Sequence, residues 1–76
     1  MVVAYILVKA STGEAERLRD DLAAVEGVED VHIVAGDVDF IARVEVENPA
    51  AVRQIAATEF QAVAGVADTE TYIAME

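Results

Sequence analysis

The sequence predicts an α+β fold with the element order β-α-β-β-α-β, in which a four-stranded antiparallel sheet carries two helices on one face. Three observations predict it. Four runs of strand-forming residues, Val3 to Lys9, Val28 to Ala35, Phe40 to Val46 and Val66 to Met75, are separated by two stretches of helical periodicity. The link between the second and third runs, Gly36-Asp37-Val38-Asp39, holds a glycine and two alternating aspartates and reads as a hairpin turn. A shift of 38 residues lays Gly27-Val28 on Gly65-Val66, Asp30 on Asp68, Leu22 on Phe60 and Val25 on Val63, so the two halves form a weak internal repeat.

In the first run Ala4, Ile6 and Val8 share one face and Val3, Tyr5 and Leu7 the other. Both faces are apolar, which marks a central strand covered on both sides. Ser11-Thr12-Gly13-Glu14 has the spacing of a capping box, with Ser11 three residues before Glu14. Ala15, Leu18, Leu22 and Val25 then form the apolar stripe of a helix that Gly27 closes at C′. In the second strand Val31, Ile33 and Ala35 face the core and His32 and Val34 face away. In the third, Phe40, Ala42, Val44 and Val46 alternate with Ile41, Arg43 and Glu45. Asn48-Pro49 starts the second helix, with an N-cap side chain followed by proline at the first helical position. Val52, Ala56, Phe60 and Val63, with Ile55 beside them, form its buried stripe, and Gly65 ends it.

Two βαβ halves of this kind make a split-βαβ, ferredoxin-like sandwich. The right-handed crossover rule places both helices on one sheet face, with strands one and three central. The opposite face is left bare although Val3, Tyr5, Leu7 and Ile41 are apolar, so two copies are expected to pack sheet to sheet.

Composition bounds the function. Seventy-six residues make a single domain, and a chain this short buries only about 60–65% of its unfolded surface. The 55% hydrophobic content therefore also favours self-association. There is no cysteine and one histidine, His32, which excludes a disulfide framework, a thiolate nucleophile and a multi-histidine metal site. Five cations against fifteen acids give a net charge of -10, which argues against direct contact with nucleic acid or an anionic membrane. Such acidity serves solubility or matches a salt-rich interior. No apolar run approaches the ~20 residues of a membrane span, and Met1-Val2-Val3-Ala4 lacks a basic leader, so the expected location is the cytoplasm.

The aspartates of the turn are placed to hold the ammonium or amide of a small molecule, although a hairpin aspartate that hydrogen-bonds nearby amides is the plainer reading. Thr69 and Thr71, two apart, put their hydroxyls on one face of the last strand, where threonine also serves simply as a strand former. Val31 and Ile33 are expected in the core, His32 at the surface or an interface, and Tyr5 and Tyr72 as packing aromatics. Arg43 and Glu45 are expected to pair across a dimer.

Gly27-Val28, the Gly36-to-Phe40 turn and Gly65-Val66 followed by Thr69-Glu70-Thr71 occur in a fixed order. In this order the chain resembles, over essentially its whole length, the effector-binding (RAM) domain of the Lrp/AsnC, or feast/famine, transcription regulators. The glycine and aspartate of that family's β2–β3 turn match Gly36 and Asp39, and its paired threonines match Thr69 and Thr71. The resemblance implies a dimeric α+β barrel that assembles further, often into octamers, and binds an amino-acid effector between dimers. It makes Asp39 the leading contact, with Gly36, Asp37 and Val38 offering backbone groups and Thr69 and Thr71 hydroxyls. It implies no catalytic residue, metal or cofactor. Met1 falls immediately before the first strand, so residues 1–76 are expected to be a stand-alone domain without a helix-turn-helix, acting with full-length regulators. Two other readings stand beside it. An ACT-like regulatory module would place its ligand at Ser11-Thr12-Gly13. A small α+β barrel oxygenase or isomerase would need a polar cleft for which His32 and the Asp37/Asp39 pair supply no acid-base partner.

Overall fold

A computed structural model of the protein describes residues 1–75. The elements follow the predicted order: β1 (Val2–Ala10), α1 (Ala15–Ala23), β2 (Val28–Ile33), β3 (Phe40–Val46), α2 (Pro49–Gln54) and β4 (Val66–Ile73). The sheet order is β2-β3-β1-β4, every neighbouring pair is antiparallel, and β1 and β3 are central.

One apolar cluster fills the space between the sheet and both helices. Ala4, Ile6 and Val8 from β1 and Phe40, Ala42 and Val44 from β3 meet Leu18 and Leu22 of α1 and Val52, Ile55, Ala56 and Phe60 of the second helical segment. Each fully buried large side chain contributes about 1.5–3 kcal/mol, so this single layer dominates stability. Leu22 and Phe60, equivalent in the internal repeat, are both fully buried. Ile33 is 46% exposed rather than part of this core. It is the last residue of the edge strand β2 and lies on the core side opposite Phe40, so its alternation is right although it is not sheltered.

The two helix starts differ. Asn48 caps α2 as expected: its backbone is extended and its Oδ1 accepts the Ala51 amide at 2.9 Å. Ser11 does not cap α1. Its amide and hydroxyl both donate to Gly65 O, at 2.8 and 3.3 Å, which ties the end of β1 to the start of β4. Glu14 stands at the N-cap without a side-chain cap, and Thr12 Oγ1 accepts its amide at 3.2 Å in the turn before the helix.

Gly27 and Gly65 act one turn beyond the helix ends rather than at C′. The Val28 amide donates to Val25 O and the Val66 amide to Val63 O, and the glycine at the third position of each turn has φ +98° and +101°. This is the arrangement of a type II turn, which demands a left-handed residue there. Gly36 has no positive φ, so the turn between β2 and β3 does not depend on glycine.

The second helix also departs from a continuous α-helix. After Gln54 it widens into a π-helical turn, Ile55–Glu59, in which the Phe60 amide donates to Ile55 O at 2.8 Å. The extra residue keeps both Ile55 and Phe60 in the core.

Candidate functional site

The β2–β3 turn is held to β1 by Asp39. Its amide donates to Val8 O, its carbonyl accepts the Val34 amide, and its Oδ2 accepts the Ala10 amide at 2.8 Å. Ala10 sits where the β1–β4 register shifts, so its N–H lies off the regular ladder and the carboxylate takes it. One oxygen of Asp39 therefore does structural work, as the plainer reading of a turn aspartate anticipates. Gly36 and Asp37 are exposed and Val38 is half-buried.

Asp37 and Val38 meet β4 within one chain. With Leu7, Lys9, Asp68, Thr69 and Glu70 they line a depression of about 350 Å³ at one end of the bare sheet face. Gly36, Asp39 and Thr71 do not line it.

Thr69 and Thr71 lie on one strand face, as their spacing predicts, and opposite β1 residues Val8 and Ile6. That is the helix side of the sheet. Because β4 is an edge strand and α2 sits over β1 and β3, the two leave a groove of about 550 Å³ between them. Val52 and Ala56 form an apolar floor, Ile73 and Thr71 one wall, and Arg53, Ala57 and Gln61 the other. Gln61 Nε2 donates to Thr69 Oγ1 at 3.2 Å, while the Thr71 hydroxyl has no protein partner among the described residues. Thr69 borders both the groove and the depression. Four of the six residues singled out by sequence, Asp37, Val38, Thr69 and Thr71, thus divide between two adjoining surfaces, and Gly36 and Asp39 line neither. Arg53, Gln61 and Asp68 were missed, because nothing in the residue pattern says that α2 stops short of β4.

The bare face carries Tyr5 opposite Tyr72, 40% and 53% exposed, with Val3, Leu7 and Ile41 around them. Arg43 pairs with Glu45 of its own chain, two residues along the same strand face, rather than waiting for a partner across a dimer. That hydrogen bond raises the Arg43 pKa, with a smaller contribution from Tyr5. The Glu70 charge raises the Tyr72 phenol above its ordinary value. Among the described residues no group of three His, Cys, Asp or Glu side chains is placed to hold a metal ion, and no helix is long and apolar enough to cross a membrane.

Comparison with known proteins decides the family. The profile described as "Lrp/AsnC ligand binding domain" matches residues 3–76. The chain belongs to the Lrp/AsnC ligand-binding domain family. The leucine-responsive regulatory protein of Haemophilus influenzae is 30% identical to this Lrp/AsnC domain over 76 residues, which is all of the chain and 46% of that protein. The chain thus spans less than half the length of that curated relative. Among solved structures, a Thermus thermophilus protein superposes with a TM-score of 0.92 at 24% identity, over 100% of this chain and 95% of that one. A Neisseria meningitidis transcriptional regulator, solved as a complex with L-Met, superposes with a TM-score of 0.85 at 14% identity, over 99% of this chain and 50% of that one. Both likenesses concern the fold. The family resemblance carried by the Gly36 turn and the Thr69/Thr71 pair is correct, even though Gly36 and Asp39 lie outside both surfaces.

Proposed function

We propose that this Lrp/AsnC domain is a non-catalytic sensor of a free amino acid, acting in the cytoplasm as a sheet-to-sheet dimer that assembles further, toward an octamer, and works with full-length regulators. The observation that carries the effector reading is the α2–β4 groove, with an apolar floor beside the Thr69 and Thr71 hydroxyls. An apolar cleft with a few convergent polar groups is the common form of a small-molecule site. The L-Met complex of the N. meningitidis regulator supports the ligand class. Asp37 and Val38 border the adjoining depression and would extend the site when a second dimer closes over it. The exposed Tyr5/Tyr72 pair and the apolar residues around it support the dimer.

The ACT-like alternative finds less support. The Ser11-Thr12-Gly13 loop is committed internally: the Ser11 amide goes to Gly65 O, Thr12 Oγ1 to the Glu14 amide and Gly13 O to the Ala15 amide. Calorimetry and native mass spectrometry with the common amino acids test the proposal. Saturable binding of at least one of them, weakened about tenfold by the near-isosteric Thr71→Val with an unchanged melting temperature, is expected from the loss of one hydrogen bond. No heat and no bound mass with any of them at millimolar concentration would overturn it.

A further inference from the structure

Arg53 is out of place in so acidic a chain. Fifteen carboxylates outnumber five cations, and Arg17, Arg19 and Arg43 each lie within ion-pair distance of one. Arg53, like Lys9 on the bare sheet face, has no carboxylate within that distance among the described residues. Its helical neighbours three and four positions away are Pro49, Ala50, Ala56 and Ala57, so no acid stands beside it on α2. Arg53 lines the α2–β4 groove beside Val52, Ala56 and Ala57. Asp68 borders the same groove but does not pair with Arg53. Asp68 Oδ1 accepts the Thr69 amide at 2.9 Å, and its second oxygen has no partner among the described residues. One groove thus holds a cation and an anion that do not satisfy each other, with apolar surface between them.

We propose that Arg53 is the carboxylate anchor of this groove, with Asp68 receiving the ammonium, so that the groove selects amino acids with apolar side chains. The inference rests on the effector reading above and deepens it. A guanidinium presents paired donors that match the two oxygens of a carboxylate. The ligand side chain lies against the 42%-exposed Ile73, over a floor whose Val52 and Ala56 are already buried in the core. An acidic side chain is disfavoured twice, by Asp68 and by the net charge of -10. A lysine or arginine ligand would find no second acid along the groove wall.

The test is a cycle between ligand and protein. L-Leucine and L-methionine, and their carboxamides, which keep the ammonium and side chain but lose the anionic group, are titrated calorimetrically into wild type, Arg53→Gln and Arg53→Lys. Wild type should prefer each acid to its amide by about tenfold or more, the range of one charge-assisted pair. Arg53→Gln should bind acid and amide equally weakly, and Arg53→Lys should restore part of the preference. If Arg53→Gln keeps the full preference for the acid, the anchor is elsewhere and this inference falls while the effector reading stands. If neither these nor the other common amino acids bind wild type, the effector reading itself falls and takes this one with it. If Arg53→Gln changes the ligand-free sedimentation mass and leaves the acid-over-amide ratio untouched, the guanidinium serves a second copy of the chain and the inference is overturned.

Discussion

Replacing Gly65 by alanine should weaken the fold far more than replacing Gly36, although the sequence draws attention to Gly36. At Gly65 the backbone φ is +101°, and an added Cβ would come within 2.7 Å of Thr12 Cγ2 and 3.2 Å of an Arg17 guanidinium nitrogen. The left-handed conformation costs an alanine about 1–2 kcal/mol. Displacing Thr12 costs about 1–3 kcal/mol more, as overpacking does elsewhere, and Thr12 cannot swing away without releasing the Glu14 amide that its hydroxyl accepts. A loss of chain entropy in the unfolded state returns about 0.4–1 kcal/mol. The net is a destabilisation of about 2–4 kcal/mol, or roughly 10–20 °C in melting temperature for a domain this small. At Gly36 nothing lies within 4 Å of an added Cβ and φ is not positive, so only the entropic gain remains. Urea and thermal unfolding followed by circular dichroism, at one fixed protein concentration, measure both variants. Equal stability of the two variants, or a Gly65→Ala loss below about 0.5 kcal/mol, would refute the placement of backbone strain at the repeat-equivalent glycines.

Three further outcomes are expected. Asp39→Ala should lower stability by about 1 kcal/mol through the lost bond to the Ala10 amide, while Asp37→Ala, whose carboxylate makes no hydrogen bond among the described residues, should leave the urea midpoint unchanged. Leu7→Glu places a charge in the middle of the bare sheet face, so sedimentation should report the mass of one chain; an unchanged mass would rule out sheet-to-sheet packing. Spectrophotometric titration should find the Tyr72 phenol above its ordinary range, and Glu70→Gln should return it. A phenol with a raised folded-state pKa contributes its stability below the unfolded value and loses it as pH climbs through the folded one. Wild type should therefore weaken relative to Glu70→Gln only at strongly alkaline pH.

The order of elements was legible because each strand and helix announces its period, and because Gly-Val pairs mark both re-entries into the sheet. The central placement of β1 was legible from its two apolar faces. What the residue types do not carry is the identity of distant partners. Asp39 meets Ala10 across 29 residues and Ser11 meets Gly65 across 54; the first contact gives the turn aspartate a bracing role, and the second turns Ser11 from helix cap to clasp. The π-helical turn was hidden for a related reason: the spacing of Val52, Ala56 and Phe60 suits an α-helix equally well, and only the packing of Ile55 beside them selects the wider form. The threonine pair was found because strand alternation fixes its face. Arg53 was not, because a helix position shows its neighbours on the helix but not the gap beside it.

The Arg43–Glu45 pair has a consequence for how copies of this chain meet. On the bare face the two central strands present only three charged residues, Lys9, Arg43 and Glu45, two of them cationic. Almost everywhere else the surface is acidic. Two molecules approaching in an arbitrary orientation meet like charge, whereas an approach centred on β1 and β3 opposes apolar and mixed-charge surface and keeps the edge-strand acids Asp30, Asp68 and Glu70 at its margin. The acid coat then works as an orientational filter on encounters: misaligned collisions are turned away, aligned ones are not. Added salt relaxes that filter, so ionic strength governs the rate and fidelity of association more than the strength of the finished contact.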